Sequence, residues 1–599
     1  MLEINDKFYK EENFYNNDIY KDYEEDIEKY INQYDSSEYY KIIQNDKRTN
    51  IVNVFSEMKS NIIKWYPFEK NKKMLEIGSN YGEITCELVK KCNDITLIEF
   101  SKKKAECISK RLEDADNVKV FVCTNLKEIS LEEKYDYITL LGIAEYAKQI
   151  GFKNLEELIL WAQNHLTEEG KIFLAIDNKF GVRNLAGTTR NKDEVPFASF
   201  KPYIEKNYEL YGKTELENIL KKNNITNYKF YYPVPDYNLT HLIYTDKYMP
   251  KKADYNLYYR EDEEILFNEL NFMYEAIKNE KFDLFTNSYL IEINKKQDLD
   301  CSDICFVNYS NMRKIEYKII TKISPSKVTK QSYEEKGLNH IKQIQNNIDK
   351  LKTIGFNVCE NNNENEIISP YVSMSTMDEY LANIANSGKT ELFYEEIFKW
   401  EKFLKEKLKT VSDTKKTIFE NYNISISEEQ KSRLNFVEDG FIDLIFQNTF
   451  YDGTSDYIVF DQEWYEEGLP LQFIMYRSIK QLFFKYKYLE KKIDKMDLYK
   501  KYGIEEYIEI FEELEKRWQK NIVDAEIMDF YSQKWSRIIS IEDIKFRHNQ
   551  ELGEVYNKKD ELEKQVSILT KENDLLKKKL ETIENSKSYR WTKIFRKKN

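Results

Sequence analysis

The stretch Met74-Leu75-Glu76-Ile77-Gly78-Ser79-Asn80-Tyr81-Gly82 decides the fold of the first half of the chain. It predicts a short apolar strand that ends at Gly78, then a loop of small residues and a helix over 82–91. Glycine permits a tight turn and a close approach to a ligand because it has no Cβ. Glu99 ends the next predicted strand, 21 residues after Gly78. A carboxylate at that spacing accepts hydrogen bonds from both ribose hydroxyls, so the pattern predicts a nucleoside-cofactor site.

Short apolar runs continue from this stretch and alternate with amphipathic helical patterns. Strands are predicted at 74–77, 95–99, 118–122, 135–141 and 171–176. Alternation of this kind is typical of a doubly wound α/β domain with a parallel sheet.

Length and composition limit the classes of protein that fit. A chain of 599 residues and 72.2 kDa exceeds a single hydrophobic core, so several domains are expected. Lys and Arg number 92 against 105 Asp and Glu, and this net charge of −13 argues against binding to nucleic acid. The seven cysteines show no Cys-x-x-Cys spacing, which favours reduced thiols over a disulfide framework or a zinc site. A polar, acidic start and the lack of a long apolar run predict a cytoplasmic protein.

The residues around Gly78 resemble the class I S-adenosylmethionine-dependent methyltransferases, whose motif is Glu/Asp-x-Gly-x-Gly-x-Gly. Asn80 stands where that motif has its middle glycine, and asparagine tolerates left-handed backbone angles. A nicotinamide is the alternative cofactor, but Glu76 and the sequence after the fourth strand favour the methyl donor. The resemblance implies that S-adenosylmethionine is bound by Glu76, Gly78, Ser79, Asn80, Gly82, Glu99, Asn125 and Gly142.

Two later stretches, 177–187 and 231–237, resemble segments in methyltransferases of bacterial surface-polysaccharide clusters. Ligands of open α/β sheets bind beyond the carboxyl ends of the strands, so these loops are expected to line an acceptor pocket for a glycan or a sugar-linked lipid. The alternative is that the Tyr/Pro run is only an edge-strand turn. The resemblance implies acceptor-binding roles for Glu145, Tyr146, Asn178, Lys179, Tyr232 and Asp236.

A second group of polar residues lies in the second half of the chain. Asp443 and Asn448 are five residues apart, and Asp461 follows 13 residues after Asn448. This spacing resembles the catalytic loop and metal-binding Asp of protein-kinase-like and aminoglycoside-phosphotransferase-like enzymes. The resemblance implies that Asp443 serves the acceptor hydroxyl, that Asn448 and Asp461 hold Mg²⁺, and that Lys322 contacts the phosphates of ATP.

Further parts of that resemblance are less complete. Glu334 or Glu335 is expected to orient Lys322, 285–290 to form a hairpin over the nucleotide, and 371–374 to be the hinge between lobes. The sequence departs from these families at Phe441-Ile442, where they have His-Gly or His-Arg, and the hairpin lacks glycines. Activity of the second site therefore stays open.

The region near the C-terminus follows a heptad repeat. Leu562, Val566, Leu569, Asn573, Leu576, Leu580 and Ile583 are spaced 4, 3, 4, 3, 4, 3. Such a repeat predicts a left-handed coiled coil, and a polar residue at an a position such as Asn573 fixes the register and favours a parallel dimer through residues 552–583. The alternative is a single amphipathic helix packed on its own domain.

The last segment, 587–599, contains six basic residues and no acidic one, interleaved with Trp591, Ile594 and Phe595. This composition predicts contact with an anionic membrane surface, and docking on an acidic partner protein is an equal alternative.

Taken in order, the segments predict an α/β Rossmann-like methyltransferase domain, an α+β protein-kinase-like domain and a coiled coil. The expected bounds are 1–70 for a helical extension, 71–250 for the methyltransferase, 258–540 for the kinase-like domain, 541–586 for the coiled coil and 587–599 for the tail. This order resembles the bifunctional methyltransferase–kinase chain terminators of bacterial O-antigen synthesis, the WbdD type. The resemblance implies action on a cell-surface glycan. The alternatives are a scaffold that recruits glycosyltransferases through an inactive kinase fold, and a methyltransferase of non-glycan substrates.

Overall fold

The computed structural model describes residues 4–9, 23–188, 197–200, 208–253, 264–411, 416–532 and 537–586. The chain divides into two compact units. The larger unit comprises Met1–Glu263 and Glu269–Trp535, and the smaller comprises Glu264–Asn268 and Ser536–Asn599. Within the described ranges, no helix is both long enough and apolar enough to cross a membrane. The seven cysteines all lie in these ranges and are free thiols.

The strands are numbered in chain order. They are β1 Ile4–Phe8, β2 Lys73–Ile77, β3 Asp94–Glu99, β4 Val118–Cys123, β5 Tyr135–Leu141, β6 Leu166–Asp177, β7 Tyr228–Val234, β8 Leu242–Thr245, β9 Glu264–Ile265, β10 Ser288–Asn294, β11 Phe306–Tyr309, β12 Ile319–Ile323, β13 Lys327–Ser332, β14 Asn357–Val358, β15 Asn361–Asn363, β16 Glu366–Pro370, β17 Thr410–Val411, β18 Phe436–Val437, β19 Thr449–Phe450, β20 Ile458–Val459 and β21 Arg537–Ile538.

The α-helices are numbered in the same way. They are α1 Glu24–Gln33, α2 Tyr39–Asn45, α3 Thr49–Phe55, α4 Asn61–Lys64, α5 Thr85–Leu88, α6 Lys102–Arg111, α7 Leu155–His165, α8 Val182–Leu185, α9 Lys213–Lys222, α10 Glu269–Lys278, α11 Phe282–Phe285, α12 Leu338–Thr353, α13 Met377–Asn386, α14 Thr390–Lys407, α15 Ile418–Asn421, α16 Glu428–Ser432, α17 Leu471–Lys485, α18 Lys495–Lys501, α19 Ile508–Ile522, α20 Ala525–Ser532 and α21 Ile541–Asn585.

The five predicted strands form the parallel part of the main sheet, in the order β4-β3-β2-β5-β6. Their apolar residues are buried, as the near-continuous hydrophobic runs of a covered parallel sheet require. The Rossmann-like α/β prediction is therefore confirmed. Because the strands are parallel, the loops after β2, β3, β5 and β6 meet at one edge of the sheet, where a ligand binds in this class of fold.

The helix after the glycine loop is shorter than the predicted 82–91. It is confined to α5, and turns precede and follow it. Gly82 has φ of +81°, a left-handed angle that an α-helix does not continue through, so the helix begins only at Thr85.

The N-terminal extension differs from the helical prediction for 1–70 because it contributes a strand as well as helices α1–α4. Strand β1 pairs in parallel with β4, with Ile4 opposite Val120. Without this strand, β4 would present an unpaired edge, which is a site of unwanted association.

The position of strand β10 differs from the predicted domain boundary at 250–258 and from the predicted hairpin at 285–290. It lies in the same sheet as the five predicted strands, antiparallel to both β6 and β7, with Leu290 opposite Ala175 on one side and Tyr231 on the other. Every residue of β10 is buried. A buried apolar run in a sequence does not reveal which strands it joins, so the sheet partners of 288–294 were not predictable from its local pattern.

The sheet continues without interruption into the second half of the chain. Strand β8 pairs with β11, with Ile243 opposite Val307, and the order then runs β11-β12-β13-β16-β15. Helices α12–α19 and five short strands, β14 and β17–β20, surround a core that includes Trp400, Phe473 and Phe511. The two halves of the larger unit thus share one 14-stranded sheet.

The smaller unit consists of a parallel pair of short strands, β9 and β21, and the 45-residue helix α21. Ser540 caps the helix, since its hydroxyl accepts a hydrogen bond from the Asp543 N–H at 3.1 Å. Arg547 forms an ion pair with Glu264 at 2.5 Å. The predicted tail at 587–599 lies outside the described residues.

Candidate active site

The loop after β2 has the backbone conformation that its sequence predicts. Gly78 has φ of +74° and Gly82 has φ of +81°. Asn80, which replaces the middle glycine of the methyltransferase motif, also lies in the left-handed region at φ 55°. A Cβ on Gly78 would come within 2.8 Å of the Ile143 side chain, so only glycine fits there. The loop is therefore shaped for close approach of a ligand to its backbone.

Glu99 lies at the carboxyl end of β3, directly beside this loop. One carboxylate oxygen accepts hydrogen bonds from the Asn80 N–H at 2.9 Å and the Ser79 hydroxyl at 3.3 Å, and the other accepts from the Ser101 N–H at 3.2 Å. Burial raises the pKa of Glu99 to about 7, although Lys104 opposes this shift. A carboxylate offers about four acceptor positions and these contacts fill three, so Glu99 can accept one ribose hydroxyl directly and the second once the Ser79 hydroxyl turns away.

Glu76 is the second buried acid of the site. Its side chain is 4% exposed, and among the described residues its Oε2 has no hydrogen-bond partner. Burial raises the pKa of Glu76 to about 8, and the nearby carboxylates Glu83 and Glu99 add to the shift. A buried carboxylate without a partner is costly, so this oxygen is suited to a ligand with a hydrogen-bond donor or positive charge. S-adenosylmethionine, with its amine and sulfonium, fits these residues.

The loops after β4 and β5 complete this edge of the sheet. Gly142 has φ of +82°, and a Cβ there would lie 2.8 Å from the hydroxyl of Tyr237. Tyr237 therefore lies against the loop that follows β5. The Asn125 side chain caps a short 3₁₀ turn by accepting from the Lys127 N–H at 3.0 Å. This cap uses one lone pair of Oδ1, and the predicted hydrogen bond from the adenine amine of the cofactor would use the other.

Two predicted acceptor residues lie at the same edge. Glu145 is buried and accepts a hydrogen bond from the Asp177 N–H at 2.7 Å, which joins the loops after β5 and β6. Asp236 forms an ion pair with Arg183 and accepts from the Asn238 N–H at 2.8 Å. These contacts hold the segment after β7 beside the loops after β5 and β6.

Other predicted acceptor residues have structural contacts instead. The Asn178 amide donates to two backbone carbonyls, Leu284 O at 2.8 Å and Thr286 O at 2.7 Å. Lys179 forms an ion pair with Glu215 at 2.7 Å. Tyr146 packs near Tyr208, with ring centroids 6.4 Å apart.

Tyr232 does not have the predicted acceptor-binding role. It lies within strand β7, its side chain is fully buried, and its hydroxyl donates to Asp246 at 2.5 Å. The Tyr/Pro run is thus a strand followed by the segment that carries Asp236 and Tyr237, and only that segment reaches the site.

Lys59 is a site residue that the sequence did not indicate. It lies on a 3₁₀ turn of the N-terminal extension, donates to Asn238 Oδ1, and has its Nζ 4.9 Å from the centre of the Tyr237 ring. Burial lowers the pKa of Lys59, while Glu83 and Asp236 oppose the shift. No motif surrounds Lys59 in the sequence, and only the packing of the extension against the segment after β7 brings it to the acceptor side.

A second cluster lies in the other half of the larger unit, and its lysine is Lys330 rather than the predicted Lys322. The Lys330 ammonium, on β13, forms ion pairs with Glu360 at 3.0 Å and with Asp461. Burial favours the neutral amine, but Asp461 and Glu360 outweigh it and raise the pKa of Lys330. Lys322, on the neighbouring strand β12, donates to Gln331 at 2.9 Å instead. Both strands carry a lysine, so choosing between them required the cross-strand register.

The remaining predicted residues of this cluster lie close to Lys330. Asp461 has φ of +58°, a left-handed angle that is uncommon for aspartate, and its side chain is 38% exposed. The Asn448 amide donates to Asp443 O at 3.3 Å and Asp461 O at 3.4 Å. Asp443 is buried and pairs with Arg477 at 3.1 Å. The structure thus brings Asp443, Asn448 and Asp461 together with Lys330.

The structure also bears on the predicted acidic partner of the lysine and on the predicted hinge. Glu334 does not orient a lysine of the cluster, because it pairs with Lys64 at 3.7 Å and Lys90 at 3.8 Å. Glu335 is exposed. Residues 371–374 form the connection between β16 and α13, which leaves the hinge a prediction. In the described part of the chain, no group of three His, Cys, Asp or Glu side chains is arranged to hold a metal.

Comparison with known proteins adds one direct match. The model of the family described as "Methyltransferase domain" matches residues 75–174, which include β2 to β6 and the glycine loop. The domain is an S-adenosylmethionine-dependent methyltransferase. A search of curated proteins gives no match.

Similar solved structures are also methyltransferases. A methyltransferase structure from Pseudomonas syringae is 20% identical over 20% of this chain and 72% of its own, with a TM-score of 0.18. Phosphoethanolamine N-methyltransferase 1 of Haemonchus contortus is 11% identical over 47% of this chain and 51% of its own, with a TM-score of 0.27. A methyltransferase from Archaeoglobus fulgidus is 16% identical over 40% of this chain and 92% of its own, with a TM-score of 0.26.

The raised pKa of Glu99 makes cofactor affinity dependent on pH. Ribose hydroxyls bind best to the carboxylate, which forms as pH rises through about 7. Titration of Glu99 alone is therefore expected to increase the affinity for S-adenosylmethionine about fivefold from pH 6 to pH 7 and less than twofold above that, as measured by calorimetry. In Glu99→Gln this rise should disappear. A flat profile in the wild-type protein would contradict the assigned role of Glu99.

Proposed function

We propose that the protein methylates a glycan of a bacterial cell-surface polysaccharide, or its lipid-linked precursor. The observation that carries this proposal is the acceptor side of the site, where Tyr237, Lys59 and Asp236 lie near Gly142. An aromatic ring beside charged and amide groups suits the apolar face and the hydroxyls of a sugar. The resemblance of 177–187 and 231–237 to polysaccharide methyltransferases supports the same acceptor class.

One set of residues binds the cofactor on one side of the site, and another set binds the acceptor on the other side. S-adenosylmethionine, when bound, supplies an electrophilic methyl group. Glu76 and Glu99 hold the cofactor side, where a positively charged ligand would stabilise the carboxylate forms that burial disfavours. Asp236, through Arg183 and the backbone of Asn238, holds the acceptor side and orients a hydroxyl toward the cofactor.

Asp236→Asn tests this division. The change removes the charge that pairs with Arg183 but keeps an acceptor oxygen for the backbone. We expect kcat/KM for the acceptor to fall by about 10- to 100-fold, with S-adenosylmethionine affinity unchanged. The measurement is transfer of a labelled methyl group to oligosaccharides from bacterial surface polysaccharides. Asp246→Asn is the matched control, because Asp246 is more than half exposed.

The acceptor class itself is tested in cells. Mass spectrometry of the surface glycan should show a methylated residue with the wild-type protein and none with the Glu99→Ala variant. If the glycan is identical in both, and labelled methyl groups enter protein or small molecules instead, the non-glycan alternative replaces this proposal.

We also propose that the second cluster binds ATP and Mg²⁺ and phosphorylates the terminal sugar. The supporting observation is the ion-paired Lys330 beside Asp461, with Asn448 and Asp443 adjacent. In phosphoryl transfer, a lysine contacts phosphates, Asn and Asp side chains hold Mg²⁺, and an Asp serves the acceptor hydroxyl. Asn448 and Asp461 would hold the metal. ATP binding without turnover on glycans would instead favour a scaffold that recruits glycosyltransferases.

The tail at 587–599 is proposed to bind an anionic membrane surface or a glycosyltransferase partner. Its six cations support either, because each basic residue near an anionic surface contributes about 1 kcal/mol.

A further inference from the structure

Helix α21 exposes a stripe of apolar residues interrupted by Lys559 and Asn573, here called the heptad seam. A 45-residue helix is about 70 Å long, which is unusual without a partner. The apolar residues of the seam are between 39 and 62% exposed apart from Val555, which is 64% exposed. The seam consists of Leu552, Val555, Lys559, Leu562, Val566, Leu569, Asn573, Leu576, Leu580 and Ile583.

The seam follows the a and d positions of a heptad in which Asn573 is an a residue. Leu562, Leu569 and Leu576 occupy d, and Val566 occupies a. A β-branched residue at a with leucine at d favours two strands. In a parallel pair each a residue faces its own copy, so the two Asn573 amides can bond each other. In an antiparallel pair, a residues face d residues, and each Asn573 would meet an apolar side chain.

The charges beside the seam specify the register. In a parallel, in-register pair, each g residue faces the e residue five positions later in the other helix. These pairs are Lys558 with Glu563, Glu572 with Lys577, and Lys579 with Glu584, all of opposite charge, and Gln565 with Thr570, which is uncharged.

A slip of one heptad removes this complementarity in either direction. In one direction Glu572 faces Glu584, and in the other Lys579 faces Lys577. Neither slipped register forms an attractive charged pair between g and e positions, and both move Asn573 opposite an apolar residue. The sequence of α21 thus disfavours both one-heptad slips relative to the in-register pair.

We propose that α21 binds a second copy of this chain as a parallel, in-register, two-stranded coiled coil. The apolar seam provides the driving force, Asn573 fixes the alignment, and the three g–e pairs on each side select the same helix as partner. The occupant of this exposed helix face is therefore the identical chain.

Charge reversal in the full-length protein tests the proposal. The acidic variant carries Lys558→Glu, Lys577→Glu and Lys579→Glu, and the basic variant carries Glu563→Lys, Glu572→Lys and Glu584→Lys. In a homodimer of either variant, all six charged g–e pairs would carry like charges. Self-association of each variant alone should therefore weaken by about a hundredfold. The equimolar mixture should restore a complex of about 144 kDa, twice the 72.2 kDa chain, in sedimentation or light scattering.

The matched control changes the same charge at outward-facing f positions, with Lys564→Glu, Lys571→Glu and Lys578→Glu. This variant should remain dimeric, and all variants should bind S-adenosylmethionine equally if the larger unit is intact. A wild-type monomer at micromolar concentration would overturn the proposal. So would a trimer, an acidic variant that stays dimeric, or a mixture that does not reassociate.

Discussion

Glu99→Ala is expected to weaken S-adenosylmethionine binding by roughly 10² to 10⁴-fold. The substitution removes two hydrogen bonds from ribose hydroxyls to a carboxylate, each contributing about 1.5–3 kcal/mol. It also removes the acceptor for Asn80 N–H and Ser79 hydroxyl, which positions the glycine loop. Calorimetry with the full-length protein measures the loss.

Two companion variants make this result interpretable. Glu99→Gln keeps the side-chain volume and one acceptor oxygen, so it separates loss of charge from loss of packing. Glu106→Ala removes an exposed carboxylate from α6, close in the sequence, and should bind the cofactor normally. Unchanged affinity in Glu99→Ala would remove the basis for the cofactor site at this edge of the sheet.

Lys330→Met is expected to eliminate ATP binding at the second cluster and to destabilise the larger unit. Removal of one ammonium–phosphate contact costs up to about 3 kcal/mol, or roughly a hundredfold in affinity. The buried Glu360 carboxylate loses its ion pair as well, and breaking such a pair costs about 3–5 kcal/mol of unfolding free energy. Nucleotide binding by calorimetry and thermal unfolding measure the two effects.

Lys322→Met is the matched control, since this lysine lies on the adjacent strand and donates to Gln331 rather than to an acid of the cluster. The double variant Lys330→Met/Glu360→Gln neutralises the unpaired acid and should recover stability without recovering ATP binding. If instead Lys322→Met loses ATP and Lys330→Met retains it, the nucleotide site lies where the sequence first indicated.

Local sequence patterns predicted the cofactor half of the site because its parts lie close together in the chain. The strand before Gly78, the left-handed Asn80 and the carboxylate at Glu99 each follow from a few neighbouring residues. The acceptor half did not follow in the same way. Lys59 arrives from the N-terminal extension, and its role depends on tertiary packing that no short motif records.

Errors in the second half arose from strand register and strand partners. Lys322 and Lys330 lie on adjacent antiparallel strands, and both stretches alternate polar and apolar residues. Which lysine reaches Asp461 depends on the fold of the whole sheet. The sequence of strand β10 likewise predicts the start of a new domain, although the strand pairs with β6 and β7, which come well before it in the chain.

The insertion of β10 between β6 and β7 has a consequence for synthesis of the protein on the ribosome. The methyltransferase sheet is incomplete until Asn294 has emerged from the ribosome. The strand that pairs with β6 is synthesised more than a hundred residues after it. At about 5–20 residues per second, this delay is roughly 6 to 25 seconds. During that interval β6 has an unpaired edge, which is a site of unwanted association. A fragment that ends at residue 250 would retain this edge permanently and would aggregate.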